Sequence, residues 1–213
     1  MQFISAALTD VGRIKKVNED ACLLQMEETV YGQACLALVC DGVGSLQHGD
    51  RAGNYVVSRL SRWFKLLSGV KFELGETIIQ HINAEIKAIH QELLRMGNEA
   101  GTKLGTTLSA ILLIADVYYL FHVGDTRIYQ CSEHLRCLTY DHTVAAAKLR
   151  NGQMTEEEAE TSNEKHVLLQ CIGASPIIEI QNASGSIGKN DIFLLCSDGF
   201  YNKPELFTEQ FLS

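Results

Sequence analysis

The chain has 213 residues, of which 46% are hydrophobic and 21% charged, a composition typical of a folded protein rather than a disordered one. Its formal net charge of -8 argues against a nucleic-acid-binding protein, which usually carries a basic surface. The sequence contains neither an apolar run long enough to span a membrane nor a secretory signal pattern. Seven cysteines without a C-x-x-C pair indicate core thiols in a reducing cytoplasm, not a zinc site.

The first half of the chain predicts strands followed by two helices. Phe3 to Leu8 has the pattern of a short strand, with Ala21 to Met26 as its partner. The apolar run from Leu36 to Cys40 is typical of a strand that is buried on both faces. Apolar residues then recur at helical spacing, first from Val56 to Leu67 and more regularly from Ile79 to Met96.

The second half predicts mainly strands. "TLSAILLI", "VYYLFHV" and "RIYQC" are rich in β-branched and aromatic residues, and a hairpin at Ala115-Asp116 joins the first two. "DHTVAAAKLRNG" and "TEEEAETS" predict helices, the second with a capping box from Thr155 to Glu158. "IIEIQNA" and "DIFLLCS" predict further strands, and "PELFTEQFL" a closing helix. Separate runs of strands and helices, without a linker, indicate one α+β domain with largely antiparallel sheets.

Three aspartates share one sequence context. Asp41, Asp125 and Asp198 each end an apolar strand, and each is adjacent to a glycine. A single Asp-Gly pair is most often a turn, but three in the same context favour convergence at one edge of the sheets. Charged groups beside buried strands need a partner, and carboxylate oxygens suit hard cations such as Mg²⁺ or Mn²⁺.

The segment "TDVGRIKKVNEDA", residues 9–21, mixes basic and acidic side chains. Taken alone, it has the composition of an ordinary exposed loop. Together with the three aspartates, it offers bases that could hold phosphate and acids that could hold metal-bound water.

The chain resembles the metal-dependent protein phosphatases of the PPM type, also called protein phosphatase 2C, and in particular the compact bacterial members that oppose Ser/Thr kinases. The matching stretches occur in the family order and span residues 9–200: "TDVGRIKKVNEDA", "VCDGVGSLQHGDRAG", "GTTLSAILL", "HVGDTRIY", "LTYDHT", "HVLLQCIG" and "LLCSDGF". Each stretch alone is weak evidence, whereas the ordered set is specific.

The resemblance implies an α+β fold, a four-layer α-β-β-α sandwich of two mostly antiparallel sheets flanked by helices. Residues 1–213 would form a single phosphatase domain, with a flap-like insert at 143–169 that affects substrate choice. It also implies a centre of two Mn²⁺ or Mg²⁺ ions, with a third ion in bacterial members. Asp41 matches the carboxylate that bridges the two metals, the Gly42 carbonyl would bind one of them, and Asp198 the other. Asp125 matches a ligand of the third ion.

The resemblance also assigns the N-terminal segment. Glu19 and Asp20 match acids at or just outside the metal ligands. Lys15 falls where the family has a phosphate-binding arginine, and Arg13 is a candidate substitute because residues two apart share a face on a strand. Asp41, Asp20 and Lys15 are therefore the predicted catalytic residues.

The implied activity is hydrolysis of phospho-Ser/Thr in proteins by a hydroxide that bridges the metals, with the phosphoproteins of a cognate bacterial Ser/Thr kinase as partners. A cysteine nucleophile is disfavoured, because no C-x5-R loop is present. His48 is a candidate general acid, although a surface-loop histidine is the simpler interpretation.

One part of the family pattern has no counterpart in this sequence. The family ends with a Gly-x-x-Asp-Asn segment and a final strand, whose aspartate binds the same metal as the residue matched by Asp198. After Asp198 the acids are Glu205 and Glu209, which we expect to face solvent on a helix. The domain is thus expected to be C-terminally short. Two hypotheses remain open: an active phosphatase, and a pseudophosphatase or phosphoprotein-binding regulator with an incomplete metal centre.

Overall fold

The computed structural model describes residues 3–13, 15–43 and 49–202. The strands are β1 Asp20–Thr29, β2 Gly32–Asp41, β3 Leu108–Ile114, β4 Val117–Val123, β5 Arg127–Cys131, β6 Leu135–Cys137, β7 Gln181–Ser186 and β8 Ile192–Cys196. The helices are α1 Gly49–Lys65, α2 Glu76–Glu99, α3 Val144–Arg150, α4 Glu156–Thr161 and α5 Asp198–Tyr201, with a 3₁₀ helix at Asn163–His166.

The strands form two antiparallel sheets. The larger has the order β1-β2-β3-β4-β7, and the smaller has the order β6-β5-β8. In the larger sheet, β1 pairs with β2 so that Asp20, the first residue of one strand, lies opposite Asp41, the last residue of the other. This register places the N-terminal acids and the end of β2 at the same edge of the molecule.

Central strand β3 shows how the layers pack, because all of its residues are buried. Leu108, Ala110 and Leu112 belong to the core between the larger sheet and the long helices. Ile111 and Leu113 point the other way, into the core between the two sheets. Successive side chains of a strand face opposite sides, so a strand with two covered faces is apolar along most of its length, as β3 is apart from Ser109.

The two long helices cover the outer face of the larger sheet. In α1, Val56, Leu60 and Phe64 are buried at helical spacing, and α2 buries a longer stripe of isoleucines. Each such side chain contributes roughly 1.5–3 kcal/mol by leaving water. Within the described ranges, no helix of similar length covers the smaller sheet. The predicted fold class, an α+β sandwich of two antiparallel sheets, is confirmed.

None of the helices in the described part of the chain is both long and apolar enough to cross a membrane.

Residues 143–169 form an excursion, a segment that leaves the sheets and returns to them at the same place. Its two ends meet in an isolated β-bridge between Thr143 and Leu168. The Thr143 hydroxyl caps α3 by accepting the Ala146 N–H at 3.3 Å, and the predicted capping box at the start of α4 is confirmed. The assignment of this excursion as a flap, within a single domain, stays a prediction.

Two predicted strands differ from the structure. Phe3 to Leu8 is not a strand, since β1 pairs with β2 instead and Ile4 and Leu8 are exposed. β7 begins at Gln181, later than predicted, because the backbone N–H and C=O of Glu179 bond to the Gln170 side chain rather than to a strand. The predicted closing helix and His48 lie outside the described residues.

Candidate active site

Asp41 lies where the start of β1, the end of β2 and the start of α1 come together. The next residue, Gly42, donates its N–H to the Glu19 carbonyl at 3.1 Å. A Cβ atom on Gly42 would lie 2.6 Å from the backbone carbon of Gly49 and 2.8 Å from the Glu19 oxygen. Only glycine allows this approach, which explains the Asp-Gly pair at the end of β2.

Two buried threonines fix the backbone of Asp41. Its N–H donates to the Thr107 hydroxyl at 2.8 Å, and its carbonyl accepts the Thr107 N–H at 2.9 Å and the Thr106 hydroxyl at 3.1 Å. Three hydrogen bonds thus leave mainly the side-chain torsions of Asp41 free. The sequence pattern does not predict these contacts, although "GTT" directly before a central strand was a visible signal.

Asp125 and Asp198 reach the same region from two other elements. Asp125 follows Gly124 in the turn after β4 and is largely buried. Asp198 begins α5. The Tyr201 hydroxyl, in the same short helix, donates to the Asp125 carbonyl at 2.8 Å. This bond ties the helix that carries Asp198 to the turn that carries Asp125.

The carboxylates influence one another strongly. Burial raises the pKa of Asp41 to about 8, assisted by the charges of Asp20, Asp198 and Asp125 and opposed by Lys15. Burial together with the charges of Asp198 and Asp141 likewise raises the pKa of Asp125 to about 7. The strand-end aspartates therefore do converge, and their negative charge exceeds what the nearby lysine balances.

Asp20 and Lys15 also belong to this cluster. The Ser197 hydroxyl donates to the Asp20 carboxylate at 2.6 Å, although Ser197 stands at the cap position of α5. Lys15 contacts Glu19 at 3.3 Å. Partial burial acts to lower the pKa of Lys15, but Asp41, Glu19 and Asp20 outweigh it, so the pKa is raised. Ser197 is a further residue that the sequence pattern does not predict.

Arg13 is placed differently from the prediction. It lies exposed in a turn where the Gly12 N–H donates to the Asp10 carboxylate at 2.7 Å. The expectation that Arg13 and Lys15 share one face of a strand is wrong, because β1 begins only at Asp20.

A second charged group lies close by and is internally balanced. Arg127 makes a two-point contact with the Asp141 carboxylate at 3.0 Å and 2.7 Å, and its guanidinium lies 3.8 Å from the centroid of the Tyr201 ring. Burial acts to lower the pKa of Arg127, but Asp141 outweighs it and raises this pKa. This paired geometry is typical of a structural Arg-carboxylate contact.

The donors around Asp41 fit a hard divalent cation in type and in charge, because they are carboxylate and carbonyl oxygens with excess negative charge. Within the described ranges, however, no group of three or more His, Cys, Asp or Glu side chains is arranged to hold a metal ion. The structure thus brings the predicted ligands into one region without a closed ligand set.

Comparison with known proteins shows the family to which the chain is similar. The family model described as Protein phosphatase 2C matches residues 13–213. The serine/threonine phosphatase stp of Listeria monocytogenes serovar 1/2a is 33% identical over 212 residues, which cover 96% of this chain and 81% of the relative.

Solved structures show the same fold. Stp1 from Staphylococcus aureus superposes with a TM-score of 0.79 at 24% identity, covering 93% of this chain and 78% of that one. The catalytic domain of the serine/threonine protein phosphatase PstP, in complex with two manganese ions, has a TM-score of 0.72 at 26% identity, covering 92% and 77%. The chain therefore belongs to the protein phosphatase 2C family, and its enzyme class is that of the bacterial protein-serine/threonine phosphatases.

Proposed function

We propose that the protein hydrolyses phosphoserine and phosphothreonine in other proteins with the help of two Mn²⁺ or Mg²⁺ ions. The observation that carries the proposal is the gathering of Asp20, Asp125 and Asp198 around Asp41, whose pKa is raised to about 8 by burial and then by these charges. Such an excess of buried carboxylate charge favours divalent cations. The manganese-containing PstP structure supports the choice of metal.

The residues around Asp41 would differ in the cations that they hold. Asp41, the Gly42 carbonyl and Asp198 would hold the two cations, with Glu19 and Asp20 beside them. Asp125 would hold a third ion. When bound, two such cations lower the pKa of a coordinated water, so that a hydroxide nucleophile is available near neutral pH.

Phosphate recognition would depend on the N-terminal segment. The Lys15 ammonium lies in the field of Asp41 and Asp20, so it stays protonated and can attract the phosphate group. An ammonium acts as a point charge and lacks the fork of an arginine. The exposed Arg13 would therefore add a weaker, second positive charge.

The substrates would be phosphoproteins of a cognate bacterial Ser/Thr kinase. All seven cysteines carry free thiols, as expected in a reducing compartment, so we place the protein in the cytoplasm.

The direct test is hydrolysis of a phosphothreonine peptide by EDTA-treated protein before and after addition of Mn²⁺. We expect activity only with the ion, and little activity on a matched phosphotyrosine peptide. Equal activity with and without Mn²⁺ would contradict the proposal.

A second candidate is a regulator that binds phosphoproteins without turnover. It is favoured by the absence of a closed ligand set among the described residues. Tight binding of the phosphothreonine peptide without hydrolysis, at saturating Mn²⁺, would support this role instead.

A further inference from the structure

His142 lies at the point where the excursion 143–169 joins the end of β4. Its side chain is buried, and its backbone contacts both sides of the junction. The His142 N–H donates to the Gly124 carbonyl at 2.7 Å, and the His142 carbonyl accepts the Leu169 N–H at 2.8 Å. The residue thus connects the first and last residues of the excursion with the turn after β4.

The imidazole ring adds two hydrogen bonds to the same junction. Its Nδ1 atom lies 3.1 Å from the Gly124 amide nitrogen and 2.9 Å from Gln170 Nε2. A backbone N–H can only donate, so Nδ1 is the unprotonated nitrogen of the ring. The Gln170 amide is oriented independently, because its Oε1 accepts the Glu179 N–H at 2.7 Å and its Nε2 donates to the Glu179 carbonyl at 3.0 Å.

Neighbouring rings hold the imidazole in this position. The His122 ring centroid lies 4.7 Å away and that of Tyr140 lies 5.2 Å away. His122 is itself fixed by the Ser109 hydroxyl at 2.9 Å and by the Tyr140 carbonyl at 3.1 Å. A buried ring with fixed neighbours transmits a displacement rather than absorbing it.

From Gly124 the contacts continue to the carboxylates. Gly124 has φ of +114° and packs so tightly that a Cβ would lie 2.6 Å from the Thr107 side chain. The Thr107 hydroxyl in turn accepts the Asp41 N–H. Asp125 follows Gly124 directly in the chain. A continuous series of contacts therefore leads from Gln170 to both Asp41 and Asp125.

We propose that His142 is a positioning residue that couples the excursion 143–169 to the carboxylates Asp41 and Asp125. A shift of the excursion moves the turn after β4, and a change at the carboxylates moves the excursion. The role of the carboxylates as cation ligands rests on the proposed function, whereas the coupling itself can be measured without metal.

The test compares three substitutions by hydrogen–deuterium exchange of the full chain. His142→Leu keeps the approximate size of the ring but removes the acceptor, whereas His142→Asn retains an acceptor close to the Nδ1 position. Tyr119→Phe is the matched control, because Tyr119 is also buried and its hydroxyl accepts the Gly75 N–H at 2.8 Å, but this bond holds the start of α2.

In metal-free protein we expect His142→Leu to speed exchange by about fivefold to tenfold in residues 143–169, 123–127 and 38–43 together, as loss of buried hydrogen bonds predicts. His142→Asn should recover most of the protection, and Tyr119→Phe should leave the three segments unchanged. We also expect calorimetry to show Mn²⁺ binding that is about tenfold weaker in His142→Leu than in wild type.

Faster exchange in 143–169 alone, or equal changes in Tyr119→Phe, would overturn the coupling. A wild-type chain that binds no Mn²⁺ would instead contradict the proposed function, while the metal-free exchange data would still decide the coupling.

Discussion

Asp41 and Asp141 are carboxylates in opposite electrostatic surroundings. Asp141 has its own cation within the chain, since it contacts Arg127 at two points. Among the described residues, three carboxylates raise the pKa of Asp41, and the positive charge that opposes them is Lys15, whose side chain is half exposed. The contrast separates a charge that the fold balances internally from one that requires a cation from outside.

The surroundings of Asp41 explain how the fold tolerates this imbalance. Its backbone is held by Thr106 and Thr107, and β2 places Leu36 and Leu38 in the core. Neutral hydrogen bonds and apolar packing therefore fix the position, while the charge itself is unfavourable. This division predicts that substitutions of the two aspartates will have opposite effects on stability and very different effects on activity.

The largest expected effect is the loss of activity in Asp41→Asn. We expect the rate with Mn²⁺ on a phosphothreonine peptide to fall more than the roughly 10–100-fold that residues supporting metal ligands typically cost. Asp116→Asn, in the exposed β3–β4 turn at the opposite end of the strands, removes the same charge and should leave the rate unchanged. Full activity of a folded Asp41→Asn protein would remove Asp41 from the site.

The next effect concerns stability without metal. At pH 8 with EDTA, Asp41→Asn should raise the free energy of unfolding by about 1–3 kcal/mol, because it relieves repulsion among buried carboxylates. Asp141→Asn should lower it by about 1–3 kcal/mol, because Arg127 loses its charged partner. Urea unfolding measures both values, and the same sign for both variants would contradict the comparison.

The dependence of stability on pH should follow from the same imbalance. Burial and neighbouring carboxylates raise the pKa of Asp41 to about 8 and that of Asp125 to about 7, above the ordinary value of 3.8. Between these values the folded state binds more protons than the unfolded state at these two carboxylates. Below about pH 6.5 this effect is opposed, because burial lowers the pKa of His122 to about 3 and that of His142 to about 4, so that the unfolded state binds more protons at these two rings. From about pH 6.5 to 8 the raised carboxylate pKa values dominate, and the stability of the metal-free protein should fall as the pH rises.

Thermal unfolding in EDTA across this pH range measures the effect. Addition of Mn²⁺ at pH 8 should reverse the loss, because the ion replaces the protons. A stability that rises from about pH 6.5 to 8 in EDTA would be inconsistent with these two raised pKa values.

The smallest effect should come from the phosphate-binding lysine. Lys15→Met should lower kcat/KM for a phosphothreonine peptide by about tenfold, because one charged contact to phosphate is lost. Arg13→Met should change it by less than about threefold, since Arg13 lies exposed in a turn. Steady-state kinetics of the two variants measures both losses of kcat/KM. A larger loss for Arg13→Met than for Lys15→Met would make Arg13, not Lys15, the main phosphate-binding residue.

The sequence predicted the parts of the site that depend on strand patterns. Apolar runs ending in Asp41, Asp125 and Asp198 are local features. Antiparallel pairing through β3 brings the ends of β2 and β4 to one edge of the larger sheet, whereas β8, which precedes Asp198, belongs to the other sheet. The long helices and the capping box of α4 were predicted from equally local signals. These features require no knowledge of what packs against them.

The remaining parts depend on contacts between distant segments. Ser197 and Asp20 are separated by 177 positions in the chain. Arg127 contacts Asp141 only because the folded chain places β5 beside the segment that follows β6. The strand pattern of Phe3 to Leu8 was misleading, since β propensity depends on packing against neighbours, and Ile4 and Leu8 stay exposed. Such pairings cannot be inferred from periodicity.

The most direct test of the central claim is titration of the metal-free protein with Mn²⁺ at pH 7, by calorimetry in buffers of different ionisation enthalpy. If external cations balance the carboxylates around Asp41, Mn²⁺ will bind and release protons that the raised pKa values of Asp41 and Asp125 hold at this pH. Asp41→Asn will weaken the binding and reduce the release. The absence of Mn²⁺ binding, or binding without proton release, would contradict the account.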